Sequence, residues 1–433
     1  MRCGGAVGLL PSAPLPTFEL TLYLATTVGC HLYSFYELFK LSRIYEKNLD
    51  TEFGFEKGFF IWGFKKDPTD FEWSFWTEWV KKLLMWTLLG HIIISQVTNA
   101  FFPKFRTWLL MMYGMLACFI TVGYKGLAVI LLHLVISFTV AQLRVPALSW
   151  ICSVLLLYSL QMDSLGKMKM RRILTSVPRM DHMCLLLGVV RIFFWWWLTE
   201  SLLHFMYIHA IQHQETILES ASYWILGGLA FAHTMFFYLK YLLLYGIPSI
   251  IMYLDGIEPP RLPRCTSSLY SFTGTWREFD VGLHRWLVRY IYVPLGGSQH
   301  GLLRMMFSSA MAFSFVCYWH GGHSFMLYWA VMNWVGVMIE NILKMICSSS
   351  PAQEIIGRFL SARMQRRVHG ALGSIATTLL ILSNLVFICG NEVGRIYWNR
   401  TFIQARNILS VRQVAEARDL NKSCQVSECT FIR

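Results

Sequence analysis

Residues 302–347 read LLRMMFSSAMAFSFVCYWHGGHSFMLYWAVMNWVGVMIENILKMIC. An apolar run ends at Trp319, then come His320 and a Gly321-Gly322 pair, and a second apolar run begins at Phe325. About 20 apolar residues in a helix span the hydrocarbon core of a bilayer, so this stretch predicts two spans with an imidazole at their junction. Similar runs recur at 18–39, 80–102, 106–122, 126–143, 146–161, 183–211, 222–250 and 371–390,. The run at 146–161 is short enough to be tilted or re-entrant,.

These runs predict an all-α fold, a polytopic membrane bundle of about nine or ten apolar segments. Composition agrees. The 433 residues are 55% hydrophobic and 15% charged, against about 25% charged in soluble domains. The net charge of +13 sits in short loops beside apolar runs, as in KMKMRR (Lys167–Arg172) and RMQRR (Arg363–Arg367). That placement fits loops held at the cytosolic face. No basic patch interleaved with aromatics marks a nucleic-acid partner. The eleven cysteines lie mostly singly in apolar runs, which suits buried thiols better than a disulfide framework.

We read a tail over 1–17, a multi-span unit over 18–390 with the candidate site inside 254–347, and a polar tail over 391–433. The first run lacks a small-residue cleavage site and reads as a retained signal anchor. The loop Leu41–Trp79 holds KKDPTDFEWSFWTEW, whose aromatics alternate with acids as in an interfacial segment,. In TWREFDVGLHRWLVRYIYVPLGG, Trp276, Phe279, Leu283, Leu287 and Tyr290 form one stripe at helical spacing,. Arg277, Asp280 and His284 fall on the other face, and Pro294 with Gly296-Gly297 closes this expected amphipathic helix,.

Ionisable groups at membrane depth are costly and mark function. His320 is accordingly the first candidate, a general base with a pKa near working pH; its plain alternative is a histidine bonded at a helix end. Asp280 is its candidate partner, against an exposed i,i+3 pair with Arg277 worth a few tenths of a kcal/mol. His204, His209 and His213 lack the acid of a zinc helix,. Cys265, in a Pro-rich loop beside Arg264, is open to three readings: lipid attachment, haem ligation or no role. Asn399-Arg-Thr401 and Asn421-Lys-Ser423 match the glycosylation triplet,.

WREFDVGLHRWLVRYIYVPLGGSQ followed at distance by YWHGG resembles the membrane-bound O-acyltransferase family. DPTDFEWSFW (Asp67–Trp76), WWWL (Trp195–Leu198) and LILSNLVFICGNEVG (Leu380–Gly394) extend the likeness to its protein-acylating branch, over residues 17 to 404. The resemblance implies transfer of palmitate from palmitoyl-CoA to the N-terminal cysteine of a Hedgehog-type secreted protein, in the endoplasmic reticulum membrane among its lipids. It places the family histidine at His320 and an acid at Asp280 where most relatives carry Asn. Trp276 and Arg277 would lie beside the acyl-CoA channel, and Cys265 would bind a haem iron. A non-catalytic branch lacks the histidine. Two competitors stay open: an acyltransferase for a lipid acceptor, and an inactive scaffold. The latter draws on Ile173–Asp181 replacing several tens of residues usual in the family, and on the polar end.

Overall fold

The computed structural model describes residues 14–57, 63–143 and 182–404, with a few positions between 145 and 156. The reading of Ile173–Asp181, the second glycosylation triplet and most of the 146–161 segment lie outside the described residues.

The described residues form a helical bundle with one two-residue hairpin, β1 (Glu56–Lys57) against β2 (Lys65–Lys66). Its helices are α1 (Thr17–Phe53), α2 (Phe71–Trp79), α3 (Met85–Phe101), α4 (Arg106–Gln142), α5 (His182–Phe205), α6 (Ile208–Gln212) and α7 (Glu215–Ser220). They continue as α8 (Tyr223–Leu254), α9 (Phe272–Glu278), α10 (Val281–Leu287), α11 (Leu302–Trp319), α12 (Ser324–Cys347), α13 (Ser350–Phe359) and α14 (Ala362–Trp398). Among the described residues seven helical stretches are long and apolar enough to cross a membrane: 71–101, 103–142, 185–205, 223–254, 302–319, 324–347 and 362–404. The all-α polytopic expectation holds.

Helix α1 is not among the seven. The segments expected at 106–122 and 126–143 are one helix, α4, bent at Gly123 with φ 69° and ψ 178°. At 1.5 Å per residue, 37 residues would overrun a ~30 Å core if straight,. Gly390, at φ 86°, breaks α14 in the same way, where the apolar run read from sequence ends. Beyond it the chain stays helical to Gln404 and buries Val393, Ile396 and Tyr397.

The main core gathers Leu38 of α1, Tyr207, Ile211 of α6, Leu218 of α7, Leu229 and Phe236 of α8, and Leu385 and Ile396 of α14. A second core joins Leu287, Phe313, Val316, Met326, Trp329 and Val386. Adjacent residues of α14, Leu385 and Val386, thus enter different cores. No residue of α4 is buried, and Met112, Leu116, Ile120, Leu134 and Val135 face outward. A surface this apolar needs lipid around it.

Residues 67–76 have two sides: Phe71 and Phe75 are 72% and 46% exposed, while Asp67 is fully buried and Trp73 is 1% exposed. Asp67 Oδ2 accepts the N–H groups of His209 and Ala210 at 3.1 and 3.0 Å, and its Oδ1 accepts that of Thr69 at 2.9 Å. These bonds hold the loop on the first turn of α6. One local expectation is corrected: 276–290 is not one amphipathic helix. It divides at Asp280, the N-cap of α10, and ends in a π-helical turn over Val288–Tyr292 before the turns at 293–300.

Candidate active site

The sequence Tyr-Trp-His-Gly-Gly ends α11. Gly322 N–H donates to the Cys317 carbonyl and Gly321 N–H to that of Tyr318, both at 3.0 Å. This is a Schellman closure with His320 as the capping residue. Gly321 at φ 107° and Gly322 at φ 66° occupy left-handed backbone, which explains the glycine pair,. The chain then reverses and α12 starts at Ser324. The glycines therefore stop a helix and fix the histidine outside both flanking spans.

His320 is half-buried among aromatic rings: Trp319 at 4.7 Å, Phe387 of α14 at 5.1 Å edge-on, and Trp329 of α12 at 6.3 Å. Its ring makes no hydrogen bond to any described residue. Burial holds its pKa below the usual 6.5, the Glu72 carboxylate opposing,. At neutral pH the ring is an uncharged imidazole with a lone pair to offer.

Asp280 is not paired with Arg277, and it does not touch His320. Its Oδ1 accepts the Leu283 N–H at 2.8 Å, capping α10, and its Oδ2 accepts the Tyr245 hydroxyl of α8 at 3.0 Å. Ring contacts link the two neighbourhoods. Phe279 stacks on Phe237 at 5.5 Å, Phe237 meets Phe387 at 5.8 Å, and Phe387 meets His320. The histidine and the carboxylate thus border one aromatic region without a direct bond, and catalytic contacts that close only with substrate bound are common.

Trp276 is brought to the same wall. Its indole meets Phe313 at 4.7 Å and Trp329 at 5.5 Å, and its Nε1–H donates to Asn333 Oδ1 at 3.1 Å. Arg277, next to it, is exposed and makes no ion pair or hydrogen bond among the described residues. Its charge is free for an anion. The neighbouring Arg264 is already paired with Glu278.

Cys265 is half-buried at the edge of the small Tyr238–Leu239–Leu242 cluster, its thiol bonded to the Ser267 hydroxyl at 3.0 Å. No group of three His, Cys, Asp or Glu that could hold a metal occurs among the described residues. The described residues give a haem at Cys265 no support: the thiol is bonded to Ser267, and the neighbouring Arg264 is paired with Glu278. His209 is buried away from the site, its pKa lowered by burial to about 3, with His233 edge-on at 5.0 Å.

Sequence reasoning passed over Tyr245, Trp329, Asn333, Glu340 and Phe387. Asn333 and Glu340 carried a signal, an amide and an acid seven residues apart on one helical face inside an apolar run,. Tyr245, Trp329 and Phe387 carried none, since aromatics crowd every span.

An imidazole among aromatic rings at the junction of two spans, with the Trp276 indole one ring further on, makes this a candidate acyl-transfer site. Residues 157–383 match the MBOAT, membrane-bound O-acyltransferase family, and the chain belongs to it. It is 40% identical over 468 aligned positions to the Protein-cysteine N-palmitoyltransferase HHAT of Mus musculus, covering 90% of this chain and 94% of the mouse protein. The alignment exceeds the 433 residues of the chain, so the mouse protein carries residues that this one lacks. Drosophila melanogaster Protein-cysteine N-palmitoyltransferase Rasp is 29% identical over 48% of the chain and 42% of its own length. The HHAT-like protein of Mus musculus is 23% identical over 90% of each.

Proposed function

We propose that this membrane acyltransferase moves palmitate from palmitoyl-CoA to the N-terminal cysteine of a Hedgehog-type secreted protein, in the endoplasmic reticulum membrane. The observation that carries the reading is 40% identity along 90% of the chain to a protein-cysteine N-palmitoyltransferase. The unpaired His320 at the junction of two spans supports it chemically.

In the proposed step the neutral amine of the acceptor cysteine attacks the thioester carbonyl. The C–N bond forms, the C–S bond breaks, and His320 carries the proton from the amine nitrogen to the departing CoA sulfur. The products are an amide and free CoA thiol, so atoms and charge balance. An imidazole of lowered pKa is unprotonated when the amine arrives, which suits this task,. Asp280 supplies a negative charge for the acceptor's ammonium or for the imidazolium that forms. Arg277 takes a CoA phosphate, and Trp276 and Trp329 wall the acyl chain, each buried CH₂ contributing about 0.8 kcal/mol. Leading an acyl-CoA from one side and a secreted acceptor from the other to one site requires passage through the bundle, which a soluble fold would not need.

A lipid acceptor is the weaker reading, because the Asp280 carboxylate, hydrogen-bonded but in no ion pair among the described residues, favours a cationic acceptor over a neutral hydroxyl. The test uses membranes holding this chain, palmitoyl-CoA and two acceptors, a peptide with an N-terminal cysteine and the same peptide with that amine acetylated. The proposal expects label on the first alone. Label on both, or on extracted lipid instead, contradicts it.

A further inference from the structure

We infer that Asn333 and Glu340 of α12 are positioning residues that fix the Trp276 indole and, through it, the acyl-chain length the site accepts. The inference rests on the acyl-CoA reading above. Both side chains stand in an apolar membrane-crossing helix, where an amide or an acid is costly unless it is bonded. Asn333 is 2% exposed. With Gly336 between them they share one helical face at spacings of three, four and seven,.

Each position makes a different contact with α9. The Glu340 carboxylate accepts the Phe272 N–H at 2.6 Å and the Thr273 N–H at 2.9 Å, two donors that have no carbonyl partner in the first turn of a helix,. A Cβ at Gly336 would lie 2.7 Å from the Phe272 ring, so the bare backbone is what lets that ring rest on α12. Asn333 Nδ2 donates to the Trp329 carbonyl of its own helix at 2.9 Å, which turns Oδ1 outward to accept the Trp276 indole,. Start and middle of α9 are therefore both tied to the helix that carries Trp329, and Trp329 borders His320.

The consequence is a wall whose position is set by polar bonds rather than by loose apolar packing. Ring contacts with Phe313 and Trp329 favour certain orientations of the indole, and the bond to Asn333 is the hydrogen bond its N–H makes among the described residues. If the indole swings, the apolar length next to His320 changes, and each methylene gaining or losing its place alters affinity about fourfold.

The test measures binding of non-hydrolysable thioether analogues of dodecanoyl-, tetradecanoyl-, hexadecanoyl- and octadecanoyl-CoA to the full chain in nanodiscs. The parent is expected to prefer the hexadecanoyl analogue. Asn333→Leu, similar in volume but without an acceptor, is expected to flatten that preference by at least about fivefold, a little more than one methylene's worth. Trp276→Phe, which keeps a ring and loses the N–H, should flatten it equally, and the double variant should be no worse than either single one. If Asn333→Leu does not fold, Trp276→Phe against the parent reads the same bond. An unchanged chain-length preference in a folded variant, or effects that add, overturns the inference while leaving the acyl-CoA reading intact. A parent that binds none of the analogues overturns both.

Discussion

Asp280 caps α10 and accepts the Tyr245 hydroxyl, so a simple deletion confuses fold with chemistry. Two substitutions separate them. Asp280→Ala removes an N-cap worth about 1 kcal/mol and a charged hydrogen bond worth about 1.5–3 kcal/mol. The expected loss of stability is about 2.5–4 kcal/mol, and activity should fall with it. Asn caps helices as well as Asp, and its Oδ1 can keep the Leu283 N–H. Asp280→Asn therefore loses only the charged acceptor of Tyr245, about 1 kcal/mol or less once the amide reorients to donate to the tyrosine oxygen. The variant should unfold close to the parent, compared in detergent at one fixed scan rate because membrane proteins often unfold irreversibly. If the carboxylate charge assists transfer, Asp280→Asn should nevertheless transfer palmitate at least about tenfold more slowly, or about 1.4 kcal/mol of lost transition-state stabilisation. A folded Asp280→Asn chain with the parent's rate would refute this reasoning and leave Asp280 a helix cap alone.

Arg277→Ala should raise KM for palmitoyl-CoA about three- to tenfold with kcat within about twofold, the gap narrowing as salt screens the phosphate contact. Because burial keeps the His320 pKa below 6.5 and only the neutral ring is a base, kcat should be flat at neutral pH and fall on acidification below pH 6.5,. An acid limb centred above pH 6.5 would contradict the lowered value. Gly228→Ala should destabilise by about 1–3 kcal/mol, since its Cβ would meet the Ser34 carbonyl oxygen of α1 at 2.7 Å; an unchanged unfolding midpoint would show that α1 can shift. Asp67→Asn should cost about 1–3 kcal/mol by the same measurement, because both carboxylate oxygens accept N–H groups and one would become a donor.

Much of this was legible in the sequence because a bilayer imposes a length on its helices. The runs at 302–319, 325–347 and 371–390 end within a residue or two of helix ends or of the Gly390 break. The His320 junction was legible for the same reason, since Gly321-Gly322 after an apolar run is a helix stop whatever follows. What failed were places where a polar side chain changes a local pattern. The stripe from Trp276 to Tyr290 suggested one helix, yet Asp280 prefers to cap, and it divides that helix in two. Nothing in 67–76 announced that Asp67 would be buried against N–H donors 142 and 143 residues away. Such partners are set by the tertiary fold and leave no mark at short range. The Tyr245–Asp280 bond and the ring contacts from Phe279 to His320 are invisible in sequence for that reason.

The central claim is that His320 is the base of an acyl transfer, and one measurement tests it most directly. Membranes carrying the chain or its His320→Ala variant receive labelled palmitoyl-CoA and a Hedgehog N-terminal peptide, with equal folded protein in each. The account predicts amide-linked label on the peptide with the parent chain and none above background with the variant. Equal labelling by the two would remove His320 from the chemistry. No labelling by either, in membranes where the mouse relative succeeds, would contradict the palmitoyltransferase reading.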